Sequence, residues 1–246
     1  MRFFIEISYK GTNYHGWQQQ PNANTIQEEI NKALSVIFNS NIDVTGAGRT
    51  DAGVHAKQMF AHFDCDTSFD VRDLIFKLNS FLPSNIAVHD IFKVRENANC
   101  RFDAISRTYQ YHIIQKKDPF NKMAYLLQKE LDIKVMNEAA QYIIGKQDFT
   151  SFSKVNTQTF TNDCDVMFAK WEIVNSELIF TIKANRFLRN MVRAIVGTLI
   201  DIGVGKKAID DVQKIIAKRD RSESGMSAPA HGLFLCKVKY LNNIKL

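Results

Sequence analysis

One order of hydrophobic periods constrains this chain more than any other feature, and it occurs twice. Residues 2–9 alternate, with Phe3, Ile5, Ile7 and Tyr9 to one side, which is the period-two pattern of a half-buried strand. Thr25-x-x-Glu28 is a capping box, and it opens a helix with Ile26, Ile30, Leu34 and Ile37 at helical spacing. Strands are expected near 42–46 and 59–63. A helix over 71–81, capped by Asp70 and ended by Pro83, and a strand over 86–94 follow. The second half offers a strand over 107–115, with Tyr109, Tyr111 and Ile113 on one face, and a helix over 135–144 stopped by Gly145. A hairpin of 165–174 with 178–184, an apolar helix over 186–202, an amphipathic helix over 209–218 and a strand over 233–240 complete it. Each half therefore runs strand, helix, strand, strand, helix, strand, with one helix added in the second. That is the ferredoxin-like split βαβ plan. The expected fold class is α+β: two ferredoxin-like units joined into one mixed, mostly antiparallel sheet, with helices on one face and a central cleft. The polar stretch 97–105 marks the boundary, giving an N-terminal domain of 1–105 and a C-terminal domain of 106–246.

Composition narrows the function classes. A chain of 246 residues with 45% hydrophobic content can build a large core, so global disorder is not expected. A formal charge of +6 is compatible with a polyanionic partner without requiring one. Cys65, Cys100, Cys164 and Cys236 are widely spaced and form no CxxC pair. They read as small buried hydrophobes of a reducing compartment, not as a zinc site or a disulfide framework. The segment Met1-Arg2-Phe3-Phe4-Ile5-Glu6 carries no apolar signal-peptide core, and no run of about eighteen apolar residues is present. The expectation is a soluble cytoplasmic protein.

Between the strands expected at 42–46 and 59–63 lies a polar interruption, Gly48-Arg49-Thr50-Asp51-Ala52-Gly53-Val54-His55-Ala56. Two glycines, which tolerate backbone angles or close approaches denied to other residues, bracket an arginine, a threonine and an aspartate. A carboxylate held in this way beside a guanidinium suits a nucleophile or a general base. The same residues also suit an Asp-Gly turn with a solvated ion pair. A second candidate lies in the apolar helix, where Arg193 stands between Met191-Val192 and Ala194-Ile195-Val196. Arginines are rarely buried unpaired, and an aspartate such as Asp51 is the partner type required. Such a pair favours the ionised carboxylate. Arg186 and Arg189 on the same helix either reach phosphates or snorkel to solvent. The loop 10–24 holds Tyr14, His15, Trp17 and Gln18 to Gln20, groups that either stack on and bond to bases or anchor the loop to the core. Lys116, Lys117 and Lys122 are plausible phosphate contacts or simply solvated surface.

Other chemistries find less support. Gly46-Ala47-Gly48-Arg49 lacks the lysine and the spacing of a phosphate-binding loop. His62, Asp64, Cys65 and Asp66 sit on a strand that alternates faces, which disfavours a metal site. His55 and His231 read as loop-ordering or substrate-contacting groups. There is no GxSxG elbow. A metal-dependent hydrolase or nuclease using Asp51, Asp64 and Asp66 is a further alternative.

The segment 48–56 resembles the signature of the tRNA pseudouridine synthase A family. The likeness extends through the chain. Residues 9–21 (Tyr9-Lys10-Gly11-Thr12-Asn13-Tyr14-His15-Gly16-Trp17-Gln18-Gln19-Gln20-Pro21) and Thr25-Ile26-Gln27 resemble its N-terminal motifs. Arg101-Phe102-Asp103-Ala104 through Arg107-Thr108-Tyr109-Gln110-Tyr111 resemble its central motif. Phe187 through Gly197 resemble its arginine motif, and Ala228-Pro229-Ala230-His231-Gly232-Leu233 its C-terminal motif. Lys10 replaces a commonly acidic residue, and Ser224-Gly225-Met226-Ser227 replaces a common Ala-Gly-Pro-Thr. The resemblance implies an isomerase that converts uridine to pseudouridine in the tRNA anticodon stem-loop, at tRNA positions 38, 39 and 40. It implies a homodimer sharing one tRNA, with no DNA or membrane partner, no cofactor and no metal. By motif match Asp51 is the catalytic aspartate, Tyr109 stacks on the target base, Arg193 pairs with Asp51, and Arg49 positions the flipped nucleotide. Such chemistry requires the nucleotide to leave its stack and enter a pocket. The alternative is a non-catalytic RNA-binding protein on the same scaffold.

Overall fold

The computed structural model describes residues 1–154, 160–241 and 244–245. The chain divides into two compact units, one formed by Met1–Ile105 with Leu235–Leu246 and the other by Ser106–Phe234.

In the first unit, strand β1 (Arg2–Tyr9) is flanked by β3 (His55–Asp64) and β4 (Ile86–Val94), both antiparallel to it. Ile5 sits opposite Ala61 on one side and Ile91 on the other, and both Ile5 and Ile7 are fully buried. The other face of β1 is covered as well: Phe4 is buried, with Phe92 and Tyr240 rings 5.8 and 5.4 Å from its own. Helix α1 (Ile26–Phe38) begins where the Thr25 hydroxyl accepts from the Glu28 amide, and it buries Ile26, Ile30 and Leu34. Helix α2 (Val71–Phe81) begins at Asp70, whose carboxylate accepts from the Asp73 amide, and buries Leu74 and Leu78.

Strand β2 is only Thr45–Gly46, shorter than the alternating pattern over 42–46 predicts. The cause is local. Side chains of α1 take the backbone groups that a longer ladder would need. Ile42 N donates to Ser35 Oγ, Val44 N donates to Asn31 Oδ1, and Gln27 Nε2 donates to Val44 O. β3 starts earlier than expected, so that His55 and Ala56 belong to the strand and the polar loop proper is 47–54.

The second unit contains β5 (Ser106–Ile114), the short β6 (Tyr125–Leu126), α3 (Ile133–Gln141), β7 (Gly145–Asp148), β8 (Asp163–Val174) and β9 (Glu177–Ala184). Then come α4 (Met191–Gly203) and α5 (Asp211–Lys218). β10 (Leu233–Lys239) starts in this unit and continues into the first. Asn175 and Ser176 turn the β8–β9 hairpin with φ of 49° and 67°, the left-handed pair that a two-residue hairpin loop requires. The Asn137 side chain joins α3 to β8 by bonding both the N–H and the C=O of Trp171. Trp171, Tyr111, Phe149, Phe152 and Phe180 fill the core.

Three expectations change here. β6 and β7 are too short to show a period in the sequence. Helix α3 ends at Gln141, and Gly145 (φ 105°) opens β7 instead of stopping a helix. The apolar helix begins at Met191, not at 186, because Asn190 has φ 68° and cannot belong to a right-handed helix. Arg186 and Arg189 therefore precede α4, and only Arg193 lies on it. Part of the Ser/Thr-rich stretch 147–162 is placed by β7 and a short turn at Thr150–Phe152, while 155–159 lie outside the described residues.

The pairings β1–β3, β1–β4, β2–β3, β5–β9, β8–β9 and β7–β8 are antiparallel, and β5–β6 is parallel. Numbered by appearance, the strands of the first unit up to β4 follow the order fourth, first, third, second, β4-β1-β3 with β2 on β3, and the second unit carries the run β5-β9-β8-β7. The fold class is α+β with mostly antiparallel strands, each unit on the split βαβ plan.

Candidate active site

The loop 47–54 has no helix or strand, and its shape is imposed by the segment 9–17. Trp17 N donates to Thr50 O at 3.2 Å, Gly53 N donates to Tyr14 O at 3.3 Å, and Val54 N closes a turn onto Asp51 O at 3.1 Å. The buried hydroxyls of Tyr9 and Thr50 are 2.9 Å apart. Gly11 N donates to His55 Nδ1 at 3.0 Å, which fixes the orientation of a ring only 1% exposed. The packing leaves no room for side chains on the supporting segment. A β-carbon on Gly16 (φ 93°) would lie 2.4 Å from Thr50 O, and one on Gly11 would lie 2.0 Å from Val54 O. Asp51 is thus a half-buried carboxylate on a loop pinned immediately before it, at Thr50, and immediately after its turn, at Val54 and His55.

Of the two glycines that bracket the motif, only Gly53 (φ 81°) serves the backbone. A β-carbon on Gly48 would meet nothing within 4 Å, so conformational need does not explain a glycine there. Arg49 is exposed. It lines a cavity of about 160 Å³ with Trp17, Gln18, Gln27, Thr45, Gly46, Gly48 and Arg101.

In the second unit, Arg193 is half-buried on the first turn of α4. Its Nε donates to Ala228 O at 2.7 Å, and its own carbonyl accepts from Ala228 N at 3.0 Å. The loop 224–229 lies against α4 at glycines from both sides. A β-carbon on Gly197 would fall 1.7 Å from Met226 O, and one on Gly225 would fall 2.7 Å from the Gly197 backbone. Gly225 N donates to Thr198 Oγ1 at 2.8 Å, while Arg221 and Asn190 both donate to Ser227 Oγ. The replacement at 224–227 is thus tied to the helix. The Tyr111 hydroxyl donates to Pro229 O at 2.8 Å, and burial pushes this phenol far above its ordinary range. Tyr109, two residues earlier on β5, is half-buried, with the Phe187 ring nearly perpendicular to it at 5.1 Å. Burial lowers the pKa of His231, whose ring is 6.1 Å from Tyr125.

Asp51 and Arg49 therefore share the loop of the first unit, while Tyr109 and Arg193 belong to the second. The supporting groups Tyr9, Thr50, His55, Tyr111 and Phe187 lie inside the quoted motifs, but their roles depend on partners distant in sequence. The residues suggested for a metal are otherwise engaged. Asp64 takes both oxygens to Arg2 at 2.8 Å, Asp66 meets the N-terminal ammonium, and His62 meets Cys100. Among the described residues no group of three or more His, Cys, Asp or Glu side chains is placed to hold a metal.

The family model described as tRNA pseudouridine synthase matches residues 6–103 and 139–241. The chain belongs to the tRNA pseudouridine synthase family. Its relatives named "tRNA pseudouridine synthase A" include one from Bacteroides fragilis, 49% identical over 99% of this chain and 98% of that protein. Another, from Parabacteroides distasonis, is 48% identical over 97% of this chain and 96% of its own length. A more distant one, from Bacillus pumilus, is 37% identical over 98% of this chain and 100% of its own. Both stretches matched to the tRNA pseudouridine synthase model carry a candidate: Asp51 and Arg49 fall in the first, Arg193 in the second. Tyr109 lies between them.

Proposed function

We propose that this tRNA pseudouridine synthase uses Asp51 to isomerise uridine to pseudouridine in the anticodon stem-loop, at tRNA positions 38, 39 and 40. The observation that carries this reading is the Asp51 loop in a chain of this family: a half-buried carboxylate whose backbone is fixed on both sides. The reaction breaks the bond from uracil N1 to the ribose C1′, turns the ring and joins C5 to C1′. The proton lost from C5 balances the one gained at N1, so no redox partner is needed. Asp51 acts at the ribose, either by bonding to C1′ or by removing a ribose proton. Arg193 pairs with it: the Nε is committed to Ala228, and the guanidinium has further N–H donors for a carboxylate. Tyr109 lies against the uracil ring, and Arg49 positions the extruded nucleotide. The +6 charge and the exposed Lys116, Lys117 and Lys122 suit a phosphate backbone. The working form is a cytoplasmic homodimer sharing one tRNA. Among the described residues no helix is long and apolar enough to cross a membrane.

The test is to incubate the protein with an unmodified anticodon arm and to map pseudouridine chemically. Asp51→Asn is expected to lower turnover on the order of a thousandfold or more while the arm still binds. Full turnover by Asp51→Asn would leave the aspartate a turn residue on an RNA-binding scaffold. Absence of product at all three positions with the unmutated protein would overturn the substrate assignment.

A further inference from the structure

Arg193 is held by a loop, and that loop is held by a second arginine. Arg221 stands at the start of a short turn, Arg221–Glu223, that follows α5, and it is half-buried. Among the described residues its guanidinium meets no carboxylate, and burial alone lowers its pKa. A charge taken partly out of water without a counter-ion is costly, so its hydrogen bonds have to compensate. Among the described residues they all go to one loop. Nη1 donates to Ser224 Oγ at 2.7 Å and to Gly225 O at 3.3 Å, and Nη2 donates to Ser227 Oγ at 2.9 Å. Asn190, the residue before α4, donates to the same Ser227 Oγ at 2.7 Å. Ser224 is tied again, its hydroxyl donating to Ser151 O at 2.7 Å.

Ser227 immediately precedes Ala228, and Ala228 holds Arg193 twice. Its carbonyl accepts from Arg193 Nε at 2.7 Å, and its N–H donates to Arg193 O at 3.0 Å. A guanidinium is planar, so the position of that carbonyl decides where the other N–H groups of Arg193 aim. We infer that Arg221 is a positioning residue for the reaction: by clamping Ser227 it places the Ala228 carbonyl, and through it the Arg193 guanidinium. The inference rests on the proposed pairing of Arg193 with Asp51, and Arg221 acts through Arg193 and not on the substrate. A lysine does not suffice there, because one ammonium on a flexible stem cannot reproduce the planar fork that reaches these acceptors together. Loss of Arg221 loosens one end of the loop and leaves the rest docked. Gly225 N remains on Thr198 Oγ1 at 2.8 Å, and the Tyr111 hydroxyl remains on Pro229 O at 2.8 Å.

A double-mutant cycle tests it, with single-turnover pseudouridine formation on the anticodon arm as one readout and arm affinity by fluorescence anisotropy as the other. Arg221→Ala is expected to slow the reaction about tenfold to a hundredfold, the scale of one misplaced charged hydrogen bond. Its affinity for the arm is expected to stay within about twofold, because the contact acts in the transition state. In an Arg193→Ala background the same change is expected to cost less than about twofold, because no guanidinium is left to place. Arg221→Lys is expected to behave as Arg221→Ala does. The inference fails if Arg221→Ala keeps the unmutated rate, or slows the reaction equally in both backgrounds. It fails also if arm binding weakens in proportion to the rate, the mark of a phosphate contact. Should the melting curve show that Arg221→Ala does not fold, Arg221→Lys carries the same cycle, and a normal rate in it overturns the inference. If Arg193→Ala forms too little product to measure, Ser227→Ala takes its place, and additive effects with Arg221→Ala overturn the inference. Arg193→Ala by itself is read separately. An unchanged rate in that variant would sink the proposed pairing with Asp51 and the inference with it, whereas a slow Arg193→Ala with additive effects would keep the pairing and sink the role of Arg221.

Discussion

Around Asp51 the supporting contact is mostly irregular backbone: the loop 47–54 lies on the segment 9–17, which has only the end of β1 and one 3₁₀ turn at Gly11–Asn13, with Gly11 and Gly16 at the points of closest approach. Around Arg193 one side is regular. The loop 224–229 lies on helix α4, with Gly225 on the loop and Gly197 on the helix. The same device, a missing β-carbon facing a carbonyl, therefore operates in two settings of different stiffness. A loop on a loop can shift by a few tenths of an ångström on either side. A helix residue cannot move by itself without disturbing the bonds of the turn around it. Rigidity at Arg193 thus comes from the helix, and rigidity at Asp51 from a set of separate hydrogen bonds.

Matched substitutions at the two glycines give the strongest test of that difference. Gly197→Ala would place a methyl 1.7 Å from Met226 O. Overpacking of this kind costs about 1–3 kcal/mol or more, against a gain of about 1 kcal/mol from replacing glycine in a helix. The net expectation is a loss of about 2 kcal/mol, the upper end of that difference, and a melting temperature lower by about 4–8 °C, at roughly 2–4 °C per kcal/mol for a chain of this size. Gly16→Ala meets Thr50 O at 2.4 Å and forces alanine into a left-handed conformation, itself worth about 1–2 kcal/mol. That strain alone lowers the melting temperature by about 2–8 °C, so turnover separates the two variants: it falls more steeply in Gly16→Ala because the displaced carbonyl adjoins Asp51. Turnover unchanged in Gly16→Ala would show that the loop is no softer than the helix.

The next effect concerns the hydrogen bonds on the softer side. Thr50 and Tyr9 share a buried hydroxyl pair directly before Asp51. Thr50→Val keeps the shape and leaves the Tyr9 hydroxyl without that partner, at a cost of about 1–3 kcal/mol. Thr50→Val with Tyr9→Phe removes both hydroxyls and is expected to recover most of that stability in denaturant titrations. Turnover on the anticodon arm is not expected to recover, because the loop has lost its tie. A double variant with normal turnover would assign the pair to stability alone.

What the sequence could reveal followed the same division. The Asp51 loop was legible because a polar, glycine-bracketed stretch interrupts apolar alternation, and the split βαβ order was legible because the longer elements show their periods. The start of α4 was not. Phe187, Leu188, Met191 and Val192 continue the apolar spacing through Asn190, whose left-handed backbone leaves no trace in a hydrophobic period. Residues 42–44 alternate like a strand, yet their backbone is bonded by Asn31, Ser35 and Gln27 of α1, a choice that tertiary contact makes. Ties such as Tyr111 to Pro229 join residues 118 positions apart and carry no local signal. Gly48 reads as a glycine needed for a backbone angle or a close approach, yet it has no positive φ and a β-carbon there would meet nothing within 4 Å, a distinction that only the packing shows.

The smallest expected effect compares how the two units respond to acid. The first unit buries His62 on β3, its Nδ1 3.2 Å from Cys100 Sγ, beside Arg2, Asp64 and Asp103. Burial, aided by the Arg2 charge, lowers the pKa of this imidazole, and the nearby carboxylates only partly oppose the shift. The second unit holds the half-buried His231, lowered by burial alone. The same unit holds His112 against Glu177, Nδ1 to Oε2 at 2.7 Å, and burial pushes its Cys164 thiol up to about 11. The sign follows from proton binding. As pH falls through the ordinary histidine range the unfolded chain takes up a proton that the folded imidazole refuses, so stability is full above that range and declines until the folded group itself protonates. Asp64, held below its usual range by Arg2, adds a loss of the same sign at lower pH. Denaturant titrations of the unmutated protein, His62→Gln and His231→Gln at steps between pH 7.5 and 5 separate the contributions. His62→Gln is expected to flatten the decline more than His231→Gln, because its ring is 7% exposed and sits beside a fixed positive charge. If His231→Gln flattens it as much, acid sensitivity is shared between the units; if neither variant changes the slope, the decline belongs to carboxylates such as Asp64.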